Sequence, residues 1–300
     1  MSVLKPMNKE QVPGYSVLTA NVGNLNIGCR KYLNNLCYLD VEERISQSIR
    51  KLRPDIVTLQ EIMAPWQCAD VQERNPKKVC HYEQLVAQAR RLLGDDYTIV
   101  CDMRGHFTCI GVHVDIGEVL GCEKGSYCPT ARTGHALDGC DNGFTVSAAT
   151  VRTNDNLVFD VVNAHLQSTS AQCREKMLKL TFDGNENSPP LIQEEKVLIM
   201  GDFNFDPWRD HDDISVIKWQ SYMGRGWRGT PLRYHSGAVE TTPPRFTSYL
   251  LWRGKTVDLV VSNFLDGTCV VLGETPGTHR LDGSRGMDHR GVYGVLTIRE

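Results

Sequence analysis

The sequence predicts an α/β protein, and three observations carry that prediction. Apolar runs of strand length recur from Tyr15 to Ile298, two segments of helical period lie between the early runs, and most runs end on a polar residue. With 300 residues and 41% hydrophobic content the chain can bury a large core, and no shift in composition marks a boundary. A single domain over residues 1–300 is therefore expected. No run approaches the roughly 20 apolar residues of a membrane-spanning helix.

Tyr15 to Ala20 is β-prone and ends at Asn21, after which Gly23, Asn24, Asn26 and Gly28 read as a loop. Asp40 and Glu43 have capping-box spacing, and Val41, Ile45, Ile49 and Leu52 repeat on one helical face until Pro54. Ile56 to Leu59 reads as a buried strand that delivers Gln60 and Glu61. Tyr82, Leu85, Val86, Ala89, Leu92 and Leu93 keep helical period, Gly94 closes that helix, and Tyr97 to Val100 forms the next strand. From Gly105 to Gly143 the periodicity fails among glycines and cysteines, so about 101–143 is expected to be an insertion. Phe144–Val151 and Leu157–Val162 flank Asn154-Asp155-Asn156 and predict a hairpin that runs into His165. Val197 to Met200 leads into Gly201-Asp202-Phe203-Asn204, Val257 to Val261 carries Asp258, and Gly291 to Ile298 follows Asp288-His289.

The net charge of −3 gives no global attraction to nucleic acid or anionic membranes, although a local basic surface stays open. Met1 to Pro13 holds Lys5, Lys9 and Glu10 without an apolar core, so no secretory leader is visible and a cytoplasmic location is the default. Cysteine usage points the other way, to a secreted or periplasmic protein. Nine of the eleven cysteines fall between Cys29 and Cys140, which suggests disulfides and leaves an odd thiol. Zinc is the rival, but Cys122-x5-Cys128-x11-Cys140 lacks the close pairs of structural zinc sites.

The strand-end residues define the chemistry, each with a plainer alternative. Glu61 offers a hard anionic oxygen suited to magnesium, or is a solvated loop acid. Asp202 and Asn204, two apart after a glycine, can position a water and hold a phosphoryl oxygen, or form an Asx turn. Asp258 lies in a run too apolar for an unpaired charge, and His289 is its natural partner, with a backbone donor as the alternative. His165 can donate to a phosphate or to a leaving oxygen, or serve as a structural histidine.

Together, Thr19-Ala20-Asn21-Val22-Gly23, Leu59-Gln60-Glu61, Asn163-Ala164-His165-Leu166, Gly201-Asp202-Phe203-Asn204, Val257-Asp258-Leu259-Val260 and Asp288-His289 resemble the endonuclease/exonuclease/phosphatase (deoxyribonuclease I-like) superfamily, in the family order. The resemblance implies a four-layer α/β/β/α sandwich with two packed mixed β-sheets. It also implies Mg²⁺, with Mn²⁺ or Ca²⁺ as alternatives, at Asn21, Glu61 and Asp288. Asp202 would orient or deprotonate the attacking water and Asn204 would hold the scissile phosphate. His289, backed by Asp258, would act as general base or stabilise the transition state, and His165 would be phosphate ligand or general acid. A glutamate would support His165, and none is assigned to that place from the sequence.

Met287 stands where many members have serine, and Gly23 where abasic-site enzymes often have aspartate, which argues against that substrate. The implied function is a metal-dependent phosphodiesterase, a nuclease cutting DNA or RNA by in-line attack of water. A neutral sphingomyelinase-like phospholipid phosphodiesterase is the runner-up, with Trp66, Trp208, Trp219, Trp227 and Trp252 as its lipid-facing candidates. A phosphomonoesterase or an inactive binding protein on the same fold comes third. Arg245, Arg253 and Lys255 are candidates for phosphate-backbone contacts, or three solvated hairpin charges.

Overall fold

Residues 14–23, 39–62, 88–102, 108–128, 131–134, 137, 139–140, 144–236, 241, 254–283 and 287–299 are described by a computed structural model. Strand alternation decides how they stack. Along β1 (Gly14–Asn21), Tyr15 and Val17 pack to one side while Leu18 and Ala20 pack to the other, and all four are buried. β2 (Ile56–Gln60) behaves the same way, with Ile56 on one side and Val57 and Leu59 on the other. A strand buried on both faces belongs to a sheet covered on both faces, which is why these runs are almost uninterrupted in apolar character.

The remaining strands complete two mixed sheets. They are β3 (Tyr97–Cys101), β4 (Cys109–His113), β5 (Gly117–Val119), β6 (Tyr127–Cys128), β7 (Arg132–Gly134), β8 (Thr145–Thr153), β9 (Val158–His165), β10 (Val197–Asp202), β11 (Arg233–Tyr234), β12 (Asp258–Ser262), β13 (Leu265–Asp266), β14 (Cys269–Val271) and β15 (Val292–Ile298). The first sheet runs β13-β15-β1-β2-β4-β3-β6, with β14 also on β15. The second runs β11-β12-β10-β9-β8-β5, with β7 also on β8. Val17, Ile56, Val112, Phe159, Val161, Leu198, Met200 and Val260 fill the layer between them.

Helices α1 (Leu39–Leu52) and α2 (Gln88–Leu93) cover the outside of the first sheet, where Ile45, Ile49 and Leu92 meet Leu18 and Leu59. Helices α3 (Ala171–Phe182) and α4 (Ile214–Arg225) cover the second, where Met177, Trp219 and Tyr222 meet Val162, Ile199 and Val261. The order is helix, sheet, sheet, helix, as the resemblance implied. The hairpin around Asn154-Asp155-Asn156 is present as β8 paired antiparallel with β9.

Two expectations need correction, and one alternative is closed. The stretch 101–143 is not a plain insertion, since β4 sits inside the first sheet between β2 and β3 and β5 edges the second. Its strands are two to five residues long and rich in Gly and Cys, so they carry little of the β-branched alternation that marks a strand. α1 starts at Leu39, one residue before the expected cap at Asp40, and residues 82–87 of the second predicted helix lie outside the described residues. The zinc alternative also falls, because Cys122 pairs with Cys128 and Cys140 with Cys173, while Cys101–Cys109 joins register partners of β3 and β4. Cys269 is a buried free thiol that burial pushes up to about 12, and Cys29, Cys37, Cys68 and Cys80 lie outside the described residues.

Neither α3 nor α4 was anticipated. Their readable signals were the N-caps, Ser170 accepting from Cys173 N and Asp213 accepting from Ser215 N. In α3 the stripe is obscured because Arg174 is buried among Cys173, Met177 and Leu178. Among the described residues no helix is long and apolar enough to cross a membrane.

Candidate active site

Topology brings the strand ends together. β1 and β2 are parallel with Asn21 beside Gln60, and β9 and β10 are parallel with His165 beside Asp202. β12 runs antiparallel to β10, so it starts at the end where β10 stops and sets Asp258 beside Asp202. Alternation turns Asn21, His165, Asp202 and Asp258 inward, on the side of their neighbours Val17, Val161, Met200 and Val260. All four are buried.

Local backbone fixes the remaining groups. Gly201 has φ +138° and faces Ala164 so closely that a Cβ would collide with its carbonyl oxygen, so the position before Asp202 requires glycine. Glu61 and Asn204 adopt left-handed backbone, φ +57° and +52°, a strained state for side-chain-bearing residues that turns them out of their strands. The 287–289 segment is held from behind by Asp282, which accepts from Met287 N (3.0 Å) and pairs with Arg280 (2.8 Å), while Arg280 donates to Met287 O (2.8 Å). Asp288 N then reaches Gly23 O at 3.3 Å.

Asp202 Oδ2 is the hub of the cluster. It accepts from Asn21 Nδ2 (3.1 Å) and lies 3.6 Å from His289 Nε2 and 4.0 Å from His165 Nε2. The same Asn21 Nδ2 donates to Glu61 Oε1 (3.1 Å), which is 3.7 Å from His165 Nε2. His165 therefore has a carboxylate neighbour, Glu61, from the opposite sheet, and its ring also lies against Phe144 at 4.9 Å. His289 Nδ1 bonds Asp258 Oδ2 at 3.0 Å, the partnership expected from the sequence. Asp202 Oδ1 accepts from Asn204 N (2.8 Å), and Asn204 Nδ2 donates to Leu166 O (2.7 Å) rather than pointing a free amide at the site.

Burial alone would push the His289 imidazole down, yet Asp258, Asp202 and Asp288 outweigh it and hold the ring well above the ordinary histidine range. The cluster thus stabilises an imidazolium. Burial, reinforced by the charge of Asp288, pushes Glu61 up to about 7 despite its bond from Asn21. Burial also raises Asp202. Crowded carboxylates of this kind call for a cation.

Two donor sets are conceivable. Ligand atoms of Asp202, Asp258 and His289 lie within 4.8 Å of one another, but Asp258 and His289 are already committed to each other. Glu61 opposite Asp288 is the better fit, because two hard oxygens that repel one another are what a hard divalent ion neutralises. Asn21 lies against Glu61, with its Oδ1 accepting from Gly23 N at 2.9 Å.

The proposed backbone contacts fare less well. Lys255 Nζ pairs with both oxygens of Asp210, 2.8 and 2.7 Å, and Arg245 and Arg253 lie outside the described residues. Trp219 of α4 and Trp227 just after it are packed in the core, and Trp208 lies against Tyr234. Trp66 and Trp252 lie outside the described residues. Sequence reasoning gave no role to Gln60, Asn163, Arg280 or Asp282. The first two stand inside the quoted motifs, whereas the Arg280–Asp282 pair leaves no periodic signal.

No family model and no curated protein matches this sequence. Solved structures do. D. rerio TDP2 complexed with single strand DNA product is 15% identical, with TM-score 0.57, covering 95% of this chain and 99% of that one. The human Nocturnin catalytic domain with bound sulfate is 13% identical, with TM-score 0.54 and 96% coverage of both chains. An endonuclease/exonuclease/phosphatase family protein from Bacteroides thetaiotaomicron is 15% identical, with TM-score 0.55 and 96% coverage of both. At these identities the likeness is one of fold, and the fold of this chain is the deoxyribonuclease I-like sandwich of the endonuclease/exonuclease/phosphatase proteins.

Proposed function

We propose that this chain is a divalent-metal-dependent phosphodiesterase that hydrolyses nucleic acid. The observation that carries the reading is Asp202 Oδ2, which lies within 4.0 Å of both imidazoles and accepts from Asn21, with Asp258 seated behind His289. A buried acid between two histidines suits in-line attack on a phosphoester better than transfer to a nucleophile, since no Ser or Cys stands among these groups. The D. rerio TDP2 complex with a single strand DNA product supports nucleic acid over lipid.

Glu61 and Asp288, with Asn21, would hold the ion; bound there, Mg²⁺ or Mn²⁺ neutralises phosphate charge and the charge developing on the leaving oxygen. The chain's own groups divide the remaining work. Asp202 orients the attacking water and takes its proton. His289 is kept protonated by Asp258, so it stabilises the pentavalent phosphorus as a cationic donor rather than acting as base. His165, beside Glu61, faces the leaving oxygen as proton donor. Asn204 fixes Asp202 through its backbone N–H.

The deciding experiment offers the purified protein with Mg²⁺ or Mn²⁺ a single-stranded oligonucleotide, plasmid DNA, RNA, sphingomyelin and inositol phosphates in parallel, with EDTA controls. EDTA-sensitive cleavage of a nucleic acid is the expected result. Release of phosphocholine or inorganic phosphate instead would move the substrate to a lipid or a monoester, and inertness toward all five would leave a binding protein.

A further inference from the structure

We infer that Asn163 and Gln60 form a positioning bridge that sets the spacing between the two halves of the site. The kinetic part of this inference rests on the function proposed above. The halves come from different sheets: Asn21 ends β1 and Glu61 follows β2 in the first, while His165, Asp202 and Asp258 stand on the second. Most of the contact between the sheets is made by Val17, Ile56, Val161, Leu198, Met200 and their neighbours. Apolar contacts are non-directional, so they hold the sheets together without fixing their offset.

Asn163 supplies direction, alongside the buried Thr108–Ser147 hydrogen bond (2.8 Å). The asparagine is fully buried on the inner face of β9, where its Nδ2 donates to Leu59 O and Cys109 O, both at 2.9 Å. Those carbonyls belong to register partners on β2 and β4. Its Oδ1 accepts from Gln60 Nε2 at 2.7 Å, and the same Nε2 reaches Thr19 Oγ1 on β1 at 3.2 Å. One amide of the second sheet is thereby tied to three adjacent strands of the first.

The bridge lies next to the chemistry. Gln60 immediately precedes Glu61, and Asn163 precedes His165 by two residues on the same inner face. A sub-ångström slip there is passed to the cross-sheet contacts Asn21–Asp202 (3.1 Å) and His165–Glu61 (3.7 Å). Catalysis is far more sensitive to such a slip than folding is.

Gln60→Met separates positioning from mere packing. Gln60 Oε1 is buried with no hydrogen-bond partner, so the substitution removes an unsatisfied oxygen and keeps side-chain length while deleting the bridging donor. The variant should melt within a few degrees of wild type, and its crystal structure should show the Asn21–Asp202 contact displaced. Calorimetry should show Mg²⁺ binding several-fold weaker, and oligonucleotide cleavage should lose about tenfold or more in kcat at unchanged KM. Asn163→Ser should act in the same direction; if it fails to fold, Gln60→Met still decides.

An undisplaced Asn21–Asp202 contact, or a displaced contact with unchanged Mg²⁺ affinity and kcat, would overturn the inference. A wild-type protein that cleaves no nucleic acid would overturn the proposed function alone, because the crystal structure and the Mg²⁺ calorimetry read the bridge without turnover.

Discussion

Gly23 shapes the site by what it lacks. A Cβ at this position would collide with the Glu61 carboxylate and crowd Asn21 Oδ1. Gly23→Ala should therefore push Glu61 aside and weaken Mg²⁺ binding several-fold with little change in melting temperature, as titration calorimetry and thermal melts would show. Glu61 itself carries a proton below about pH 7 in the metal-free protein. An ion held there must displace that proton, so Mg²⁺ affinity should rise with pH up to about 7 and level off above it. Calorimetry in two buffers of different ionisation enthalpy would detect the released proton, and its absence would remove Glu61 from the ligand set. His289→Gln keeps an amide against Asp258 but loses the cation, so kcat should fall about 10²–10³-fold while the fold survives. These residues were legible because each flanks an apolar run, Glu61 after β2 and His289 before β15. Their contacts were not, since Asn21 and Asp202 lie 181 positions apart and only sheet register makes them neighbours.

α3 and α4 are stapled to each other at the scale of elements. Asp183, the C-cap of α3, accepts from Tyr222 Oη (2.5 Å) and Arg225 (2.6 Å) of α4, and Arg174 of α3 is held by Asp213, the N-cap of α4. Burial alone would raise both acids, but the bonds from Tyr222 and Arg225 to Asp183, and from Ser215 and Arg174 to Asp213, hold them below the usual carboxylate range. A depressed folded pKa stabilises above the unfolded value, about 3.9, and that contribution fades as pH falls through the folded values. Acid melts should accordingly lose stability below about pH 4. Tyr222→Phe should shallow that loss and cost about 1 kcal/mol at neutral pH, kept modest because Asp183 is 38% exposed. Neither helix was legible as a stripe, because its apolar residues share their faces with the charges that staple the pair. The short strands within 101–143 were hidden for a different reason, since they are only two to five residues long and Gly and Cys interrupt their alternation.

Over the whole molecule, the four layers follow from strands that are apolar on both faces, and that much could be read from sequence through the family resemblance. The cysteine pairing could not, because spacing does not encode connectivity. Cys101, Cys109, Cys122, Cys128, Cys140 and Cys173 should resist alkylation in denaturant until reduced, whereas Cys269 should react on denaturation alone. Peptide mapping of the alkylated protein would check this. One of the bridges, Cys101–Cys109, joins strands beside the end of β2 that carries Glu61.

β1 lies between β2 and β15 in the first sheet, one partner close to it in sequence and the other near the far end of the chain. During synthesis the β1 edge must wait, unpaired, until nearly every other described residue has left the ribosome. Asp288 and His289, a few residues before β15, arrive with it. A nascent chain would thus hold its first sheet open and its candidate site incomplete until β15 has emerged.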